Sequence, residues 1–214
     1  MNIKINTFTL KMIAIVSMLI DHMGAILFPQ YIILRYIGRI AFPIYTYTLV
    51  EGFMHTRDIK KYMVRLGIFA LLSEIPFDLA FRGSVIYIQK QNVFFTLFLG
   101  VLMLYLLLKS RNRIQSAALV LAILLLSEFL RTDYSSMGLL MILCFYVFRD
   151  NKVMKLLGVA AINVFLMGRV QVFAIPALIF IALHSGEQGP KCKKFFYGFY
   201  PVHLLALYLI SVII

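Results

Sequence analysis

The chain has 214 residues, of which 62% are apolar and only 14% are charged, and its mean hydropathy is +0.92. This composition excludes an ordinary soluble domain, which is about half apolar and needs many charged residues to cover its surface. The net charge of +12 does not indicate nucleic-acid binding, because the basic residues stand in short runs between apolar segments, as in the loops of membrane proteins. We therefore expect an all-α, multi-pass bundle of membrane helices whose main partner is the lipid bilayer.

Nine apolar segments follow one another, and only a few residues separate each from the next. Several are near 16 residues long, which is short for a spanning helix of about 20 residues, so 153–168 and 170–184 are also compatible with a re-entrant pair. The first segment lacks a small-x-small cleavage site, so we interpret it as a spanning helix and not as a signal peptide. Residues 1–214 form one domain. The predicted spans are 8–28, 34–53, 62–81, 92–109, 114–130, 134–149, 153–168, 170–184 and 195–214.

The lysines and arginines are distributed unequally between the two sides of this predicted bundle. When the nine spans alternate in direction, fifteen of the 21 fall on one side and six on the other. An excess of positive charge marks the cytoplasmic side. The sequence therefore predicts a cytoplasmic N-terminus and an external C-terminus.

Ionisable and amide side chains cluster toward the ends of the spans that this orientation places outward. Each ionised group inside a span costs about 2.5–3.5 kcal/mol on insertion scales. A chain therefore tolerates many of them only when they face one another or a hydrated cavity, and we infer a polar pocket open toward the outer leaflet. Its expected members are Asp21, His22, Arg35, Arg39, Glu74, Asp78, Arg82, Asn92, Thr96, Glu128, Arg131, Asp133, Arg169 and Gln171.

The most informative motif is Asp21-His22 in the first span. Imidazole titrates near neutral pH and can accept a proton from an attacking hydroxyl or amine. Adjacent helical residues point about 100° apart, so Asp21 need not contact His22 and can pair with Arg35 or Arg39 instead. The alternative is a structural histidine bonded to a neighbouring helix, but the adjacent carboxylate favours a functional one. His203, in the last span, is a second candidate for a polar contact.

Two other pairs are separated by one helical turn. Arg35 and Arg39 share a face of the second span, where they either bind an anion or pair with carboxylates; Arg35 is also compatible with an interfacial side chain. Glu74 and Asp78 flank Pro76, which distorts the helix and frees a backbone carbonyl. These two carboxylates fit a catalytic role and a structural charge network equally well.

A dense set of charged residues lies on the predicted cytoplasmic side. It suits a phosphate-rich donor such as coenzyme A, because cationic side chains bind phosphate strongly, although these residues are equally explained as determinants of topology. The sequence contains no P-loop, dinucleotide fingerprint, HExxH or GxSxG motif, and its two cysteines have no metal-ligand or disulfide spacing, so no metal is expected. The set comprises Glu51, His55, Arg57, Lys60, Lys61, Arg65, Arg111 and Arg113.

Several short motifs occur in order along nearly the whole chain. They are Met18–Ala25, Arg35–Ile44, Val50–Phe53, Ser73–Asp78, Asn92–Leu97, Asp133-Tyr134 with Gly138, and Phe199–Leu204. Their combination resembles the TraX family. The resemblance implies acetyl transfer from acetyl-CoA in the bacterial cytoplasmic membrane, because TraX is linked to N-terminal acetylation of conjugative pilin and is similar to transmembrane acyltransferases with an intramembrane histidine.

By this resemblance His22 is the general base or transient acyl carrier, Asp21 is its partner, and Arg39 with Arg35 holds the oxyanion or the coenzyme phosphates. The acceptor is a pilin N-terminus or a hydroxyl or amine of a glycan. A proton-coupled transporter remains an alternative, because intramembrane Asp, His and Arg also build proton relays, and so does a non-catalytic scaffold. The residues expected to bind acetyl-CoA are Arg35, His55, Arg57, Lys60 and Arg65, and those expected to bind the acceptor are Glu74, Asp78, Asn92, Asp133 and His203.

Overall fold

The computed structural model describes residues 4–213. Ten α-helices, a π-helical turn (Ile162–Leu166) and a 3₁₀ helix (Arg169–Ala174) form most of this part of the chain, and its only extended pairings are isolated bridges. The predicted all-α fold class is therefore confirmed. The α-helices are α1 (Thr7–Ile26), α2 (Ile32–Gly38), α3 (Ala41–His55), α4 (Ile59–Arg82), α5 (Val93–Lys109), α6 (Arg113–Phe129), α7 (Ser135–Val147), α8 (Lys152–Ala161), α9 (Ala177–Ala182) and α10 (Lys193–Ile213).

Two of the described helices, α1 and α10, are both long and apolar enough to cross a membrane. Helices α5 and α7 and the segment Arg169–Ala182 are apolar but shorter. Each predicted span contains helix, but 34–53 is divided between α2 and α3, and 170–184 consists of the 3₁₀ helix and the short α9. The fold is thus compatible with a membrane protein, while the nine crossings and the cytoplasmic N-terminus remain predictions.

The division between α2 and α3 is explained by Pro43. Proline has no N–H to bond the carbonyl of Arg39, four residues earlier, but it is tolerated in the first turn of a helix. The amides of Arg39 and Ile40 instead bond three residues back, to Tyr36 at 3.2 Å and to Ile37 at 3.3 Å. The chain turns at this point, and α2 packs against α1.

The central helices bring distant polar residues together. Helix α1 packs against α2, α3 and α10, while α10 also packs against α4, and α7 packs against α3 and α5. Fully buried apolar side chains, among them Leu10, Ile44, Val101 and Leu139, fill the centre of this arrangement. Residues of α1, α2, α4 and α10 that are far apart in sequence therefore share one region.

Backbone hydrogen bonds close each end of the bundle. At one end the 83–92 connection meets the 130–134 connection, where the Gln91 amide donates to the Arg131 carbonyl at 3.0 Å. At the other end the amides of Thr7 and Phe8 donate to the carbonyls of Glu187 and Gln188 at 2.8 and 3.1 Å. The second contact satisfies N–H groups in the first turn of α1 that have no partner within the helix.

Candidate active site

A cavity of about 550 Å³ lies between α1, α2, α4 and α10, and its volume is within the range of roughly 300–1,000 Å³ typical of ligand sites. We call it the large cavity. Apolar side chains such as Met18, Phe77 and Phe81 form part of its wall. The charged and hydroxyl-bearing side chains that line it are Asp21, His22, Arg35, Arg39, Tyr45, Arg82, Lys90, Asp133, Tyr134 and Tyr200.

Asp21 is buried and holds two arginines at the wall of the large cavity. Arg35 Nη1 donates to Asp21 Oδ2 at 2.7 Å, and Arg39 Nη2 donates to the other carboxylate oxygen, Oδ1. Gly38 permits this approach, because a Cβ at that position would overlap the Asp21 side chain. Asp21 therefore pairs with both arginines, as the helical geometry allows. The expectation that Asp21 partners His22 is not met, because no hydrogen bond joins Asp21 to His22 in the described chain.

His22 is bonded to a second histidine that lies 181 positions later in the chain. His22 Nδ1 is 2.7 Å from His203 Nε2, and His203 Nδ1 is 2.7 Å from the carbonyl oxygen of Phe199. The rings of Phe81 and Tyr200 meet His22 edge to face, with centroids 5.3 and 6.0 Å away. The imidazole of His22 is thus fixed in place by a neighbouring helix and two aromatic rings.

This chain of bonds assigns the neutral tautomers. The Phe199 carbonyl can only accept, so His203 Nδ1 carries a hydrogen and His203 Nε2 is left as the acceptor. His22 Nδ1 must then donate to His203 Nε2. The remaining nitrogen, His22 Nε2, has a free lone pair, which is the form that a general base requires.

The residues after α6 complete one wall of the large cavity. Tyr134 stacks on Phe42 with a centroid separation of 3.4 Å. The neighbouring Asp133, a predicted acceptor contact, bonds Lys90 Nζ at 2.8 Å and lines the cavity together with it. This contact ties the connection after α4 to the connection after α6 beside the cavity.

Glu74, Asp78 and Asn92 have a different position from the one expected of acceptor-binding residues. Asn92 caps α5 and donates through Nδ2 to Glu74 and to the Ala70 carbonyl, the latter at 2.8 Å. Asp78 Oδ2 accepts from the amide of Tyr87 at 2.6 Å. None of the three lines the cavities described here. Their contacts hold the connection between α4 and α5.

A second cavity, of about 210 Å³, lies at the end of the bundle where α1 begins. We call it the basic cavity, because Lys11, Arg65, Lys191 and Lys193 line it together with His55 and one carboxylate, that of Glu51. Arg65 Nε is buried there without a hydrogen-bond partner among residues 4–213. Of the expected coenzyme-binding residues, His55 and Arg65 line this cavity, Arg57 and Lys60 do not, and Arg35 lines the large cavity instead.

A third, narrow cavity of about 100 Å³ lies between the other two. Its wall is mostly apolar and includes Leu66, Phe94 and Leu97. It shares Met18, Tyr45, Val93 and Tyr200 with the large cavity, and Lys11, Thr48, Tyr62, Phe196 and Tyr197 with the basic cavity. The three cavities therefore adjoin one another along α1. On this helix Lys11 and His22 are about 16 Å apart along the helix axis.

Comparison with known sequences agrees with the motifs. The sequence profile of the family described as TraX protein matches residues 7–211. The chain belongs to the TraX family. It is 30% identical to a protein of Dichelobacter nodosus named probable fimbrial assembly protein FimC, serogroup H1, over 96% of each chain. It is also 29% identical to an uncharacterized protein of Rickettsia prowazekii, over 45% of this chain and 35% of that one. No solved structure matches the chain.

Sequence reasoning did not single out several side chains of this TraX site. They are Lys90 and the cavity tyrosines Tyr45, Tyr134 and Tyr200. Tyr134 and Tyr200 belong to the motifs on which the family resemblance rests, whereas Tyr45 comes directly after the apolar residues 40–44 and lies outside those motifs. Among residues 4–213, no three His, Cys, Asp or Glu side chains are placed to hold a metal ion.

Proposed function

We propose that this TraX-family chain is a multi-pass membrane acetyltransferase that moves an acetyl group from acetyl-CoA to an amine or hydroxyl of an envelope acceptor. The observation that carries the proposal is the bond between His22 and His203, which leaves His22 Nε2 as a base in a cavity of ligand size. The name of the Dichelobacter nodosus relative refers to fimbrial assembly. That association supports a pilin N-terminus as the acceptor, and a glycan is the alternative.

In this scheme, acetyl-CoA enters the protein through the basic cavity. The cations there attract phosphate groups, and Arg65 Nε offers a buried donor without a partner in the described chain. At about 210 Å³ the basic cavity holds only part of a nucleotide, so most of the nucleotide lies at its mouth. The slender pantetheine arm follows the apolar narrow cavity, which adjoins the large cavity at Met18 and Tyr200. The thioester thereby comes to the level of His22.

The reaction then proceeds at His22. The acceptor nitrogen or oxygen attacks the thioester carbonyl carbon while His22 Nε2 removes its proton, so that the new bond to carbon forms and the C–S bond breaks. The coenzyme A thiolate leaves and takes the proton back from His22. The products are the acetylated acceptor and coenzyme A. An acetyl-His22 intermediate would divide the same exchange into two transfers.

The half-buried Arg35 and Arg39 stabilise the charge that develops on the thioester oxygen. Asp21 uses only part of each guanidinium, since Arg39 Nη1 and Arg35 Nη2 have no hydrogen-bond partner within the described residues. Fixed donors in a partly dehydrated site stabilise an oxyanion more strongly than water does. Asp21 is the positioning residue in this scheme, because it fixes both arginines without meeting the acetyl group.

The experiment that tests the proposal measures release of free coenzyme A from acetyl-CoA by membranes that contain the chain and its native acceptor. We expect His22→Ala to reduce the rate by about 10²–10⁴-fold, the usual contribution of a general base, at unchanged expression level and unfolding temperature. Wild-type turnover by His22→Ala would remove His22 from the mechanism. A proton-coupled transporter, which the linked histidines and buried ions also suit, would release no coenzyme A.

His203 offers a test of the tautomer assignment. His203→Gln keeps an oxygen that can accept from His22 Nδ1, whereas His203→Ala removes the acceptor. We expect the glutamine variant to retain more activity than the alanine variant, and both to shift the pH–rate profile because the basicity of His22 changes. Equal activities with an unchanged profile would mean that His203 only fills space.

A further inference from the structure

The wall of the large cavity carries more positive than negative charge. Arg35, Arg39, Arg82 and Lys90 line it, against only two carboxylates, those of Asp21 and Asp133. Asp21 shares its single charge between Arg35 and Arg39. Two cations facing one anion leave an uncompensated positive charge beside His22.

The edge of the cavity adds to this excess. Lys90 and Asp133 neutralise each other at 2.8 Å. Arg82 has no carboxylate within salt-bridge distance among the described residues, and its guanidinium lies 4.8 Å from the ring centre of Tyr87. Stacking on an aromatic ring orients a guanidinium without neutralising it. The carboxylate of Asp78, one turn earlier in α4, attracts Arg82 without forming a salt bridge. Arg82 therefore presents an exposed guanidinium, free of direct ion pairs in the described chain, at the cavity.

The donor phosphates do not account for these charges. In the proposed function they are held by the basic cavity, at the beginning of α1, and the apolar narrow cavity separates them from Arg82 and His22. The oxyanion of the reaction engages Arg35 and Arg39, so Arg82 remains for an anionic group of the acceptor. Guanidinium groups bind phosphate and carboxylate through two parallel N–H bonds.

We propose that the acceptor is an anion, with a phosphate or carboxylate group near the amine or hydroxyl that is acetylated. In this arrangement Arg82 holds the anionic group, the free N–H groups of Arg35 and Arg39 face the oxyanion, and the nucleophile faces His22 Nε2. This inference rests on the proposed acetyltransferase function and specifies its substrate class. It requires the large cavity, and not the basic cavity, to bind the small anion.

The test uses phosphorylethanolamine, which has both a phosphate and an amine, and ethanolamine, which lacks the phosphate. Binding is measured to the full-length chain in nanodiscs of neutral phosphatidylcholine. We expect saturable binding of phosphorylethanolamine only, weakened about 10- to 100-fold by Arg82→Gln, the range expected from loss of one hydrogen bond to a charged group. Arg82→Lys should weaken it less. Arg169, which the sequence predicted in the polar pocket, is instead exposed and lines none of the three cavities. Arg169→Gln is therefore the matched control and should leave binding unchanged.

Nanodiscs that contain phosphatidylglycerol distinguish two sources of the anion. If this lipid competes with phosphorylethanolamine, the anionic group is a lipid headgroup; if binding is the same in both discs, it belongs to a soluble acceptor. Absence of saturable binding, or equal affinity in wild type and Arg82→Gln, would overturn the inference. His22-dependent release of coenzyme A in native membranes is scored separately. Release of coenzyme A without anion binding would refute the anionic acceptor alone. Absence of coenzyme A release would refute the acetyltransferase activity itself.

Discussion

The large cavity and the basic cavity are both rich in cations, but they are built differently. In the large cavity, Arg39 and Arg35 are fixed by the buried carboxylate of Asp21, and their side chains are only 15% and 30% exposed. In the basic cavity, the loop before α10 and its first turn provide two of the four lysine and arginine side chains, and the carboxylate of Glu51 is the only one in the wall. The first arrangement is suited to holding a reacting group, and the second to attracting a flexible, highly charged one.

Among variants that distinguish the two cavities, Asp21→Ala should cause the largest loss of unfolding free energy. It leaves two partly buried guanidinium groups without their counter-charge, and breaking a buried ion pair in this way typically costs about 3–5 kcal/mol. We expect a corresponding loss of unfolding free energy in detergent. Asp150→Ala is the control, because Asp150 pairs with Arg149 on the exposed surface, where such pairs contribute about 0–1 kcal/mol. Equal losses in the two variants would contradict the paired arrangement of Asp21 with Arg35 and Arg39.

A smaller effect should come from Arg65→Gln in the basic cavity. Loss of one charge-assisted bond to phosphate is worth about 1.5–3 kcal/mol, so the KM for acetyl-CoA should rise about 10- to 100-fold. The kcat should change little, because the phosphate is held in both ground and transition states. Steady-state kinetics on membranes provide the measurement, with Arg149→Gln, outside the cavities, as the control. A fall in kcat at constant KM would place Arg65 in the chemical step instead.

Gly38→Ala tests how closely α1 and α2 approach each other beside Asp21. The added methyl group would overlap the Asp21 side chain, and overpacking of this kind costs about 1–3 kcal/mol. We expect a lower unfolding temperature together with reduced release of coenzyme A. Gly198→Ala in α10 is a matched control, since nothing lies within 4 Å of its added Cβ. A wild-type unfolding temperature in Gly38→Ala would show that the helices are less close than described.

The smallest effect concerns Asp58, which is near neither reacting group. Asp58 caps α4, and the hydrogen bond from the Lys61 amide at 2.9 Å lowers the pKa of this carboxyl. A carboxyl with a lowered pKa in the folded state stabilises at pH values above its unfolded pKa, and this contribution is lost as pH falls through the folded pKa. Hydrogen exchange at Lys61, corrected for intrinsic rate, should therefore accelerate below about pH 4. In Asp58→Asn this acceleration should be absent.

The sequence indicates site residues best where burying an ionised side chain costs free energy. Asp21, His22 and Arg39 were recognised because ionisable groups inside apolar segments must find partners or water. His203 was recognised only as polar, because its bond to His22 joins positions in the first and last described helices, and no local pattern reveals such a contact. Glu74 and Asp78 carry the same signal as Asp21, yet they bond the connection before α5. Composition and spacing do not distinguish a carboxylate that positions arginines from one that holds a loop.

Arg35 shows a second limit of sequence reasoning. Its spacing from Arg39 predicted a shared face of one continuous span, and it was assigned to the coenzyme together with cytoplasmic residues. The turn before Pro43 divides that span, so the arginines lie on α2 and at its end, against α1. The proline was visible in the sequence, but the direction of the turn depends on how α1, α2 and α3 pack.

In the proposed reaction, one site at His22 is reached by a donor from the side of the basic cavity and by an acceptor from the other side. Sealed inverted membrane vesicles, with their cytoplasmic face outward, test it most directly when they receive acetyl-CoA labelled in the acetyl group. We expect label in acceptor material protected inside the vesicles with the wild-type chain, and none with His22→Ala. Equal labelling by the two chains, or label found only in material on the outer face, would contradict it.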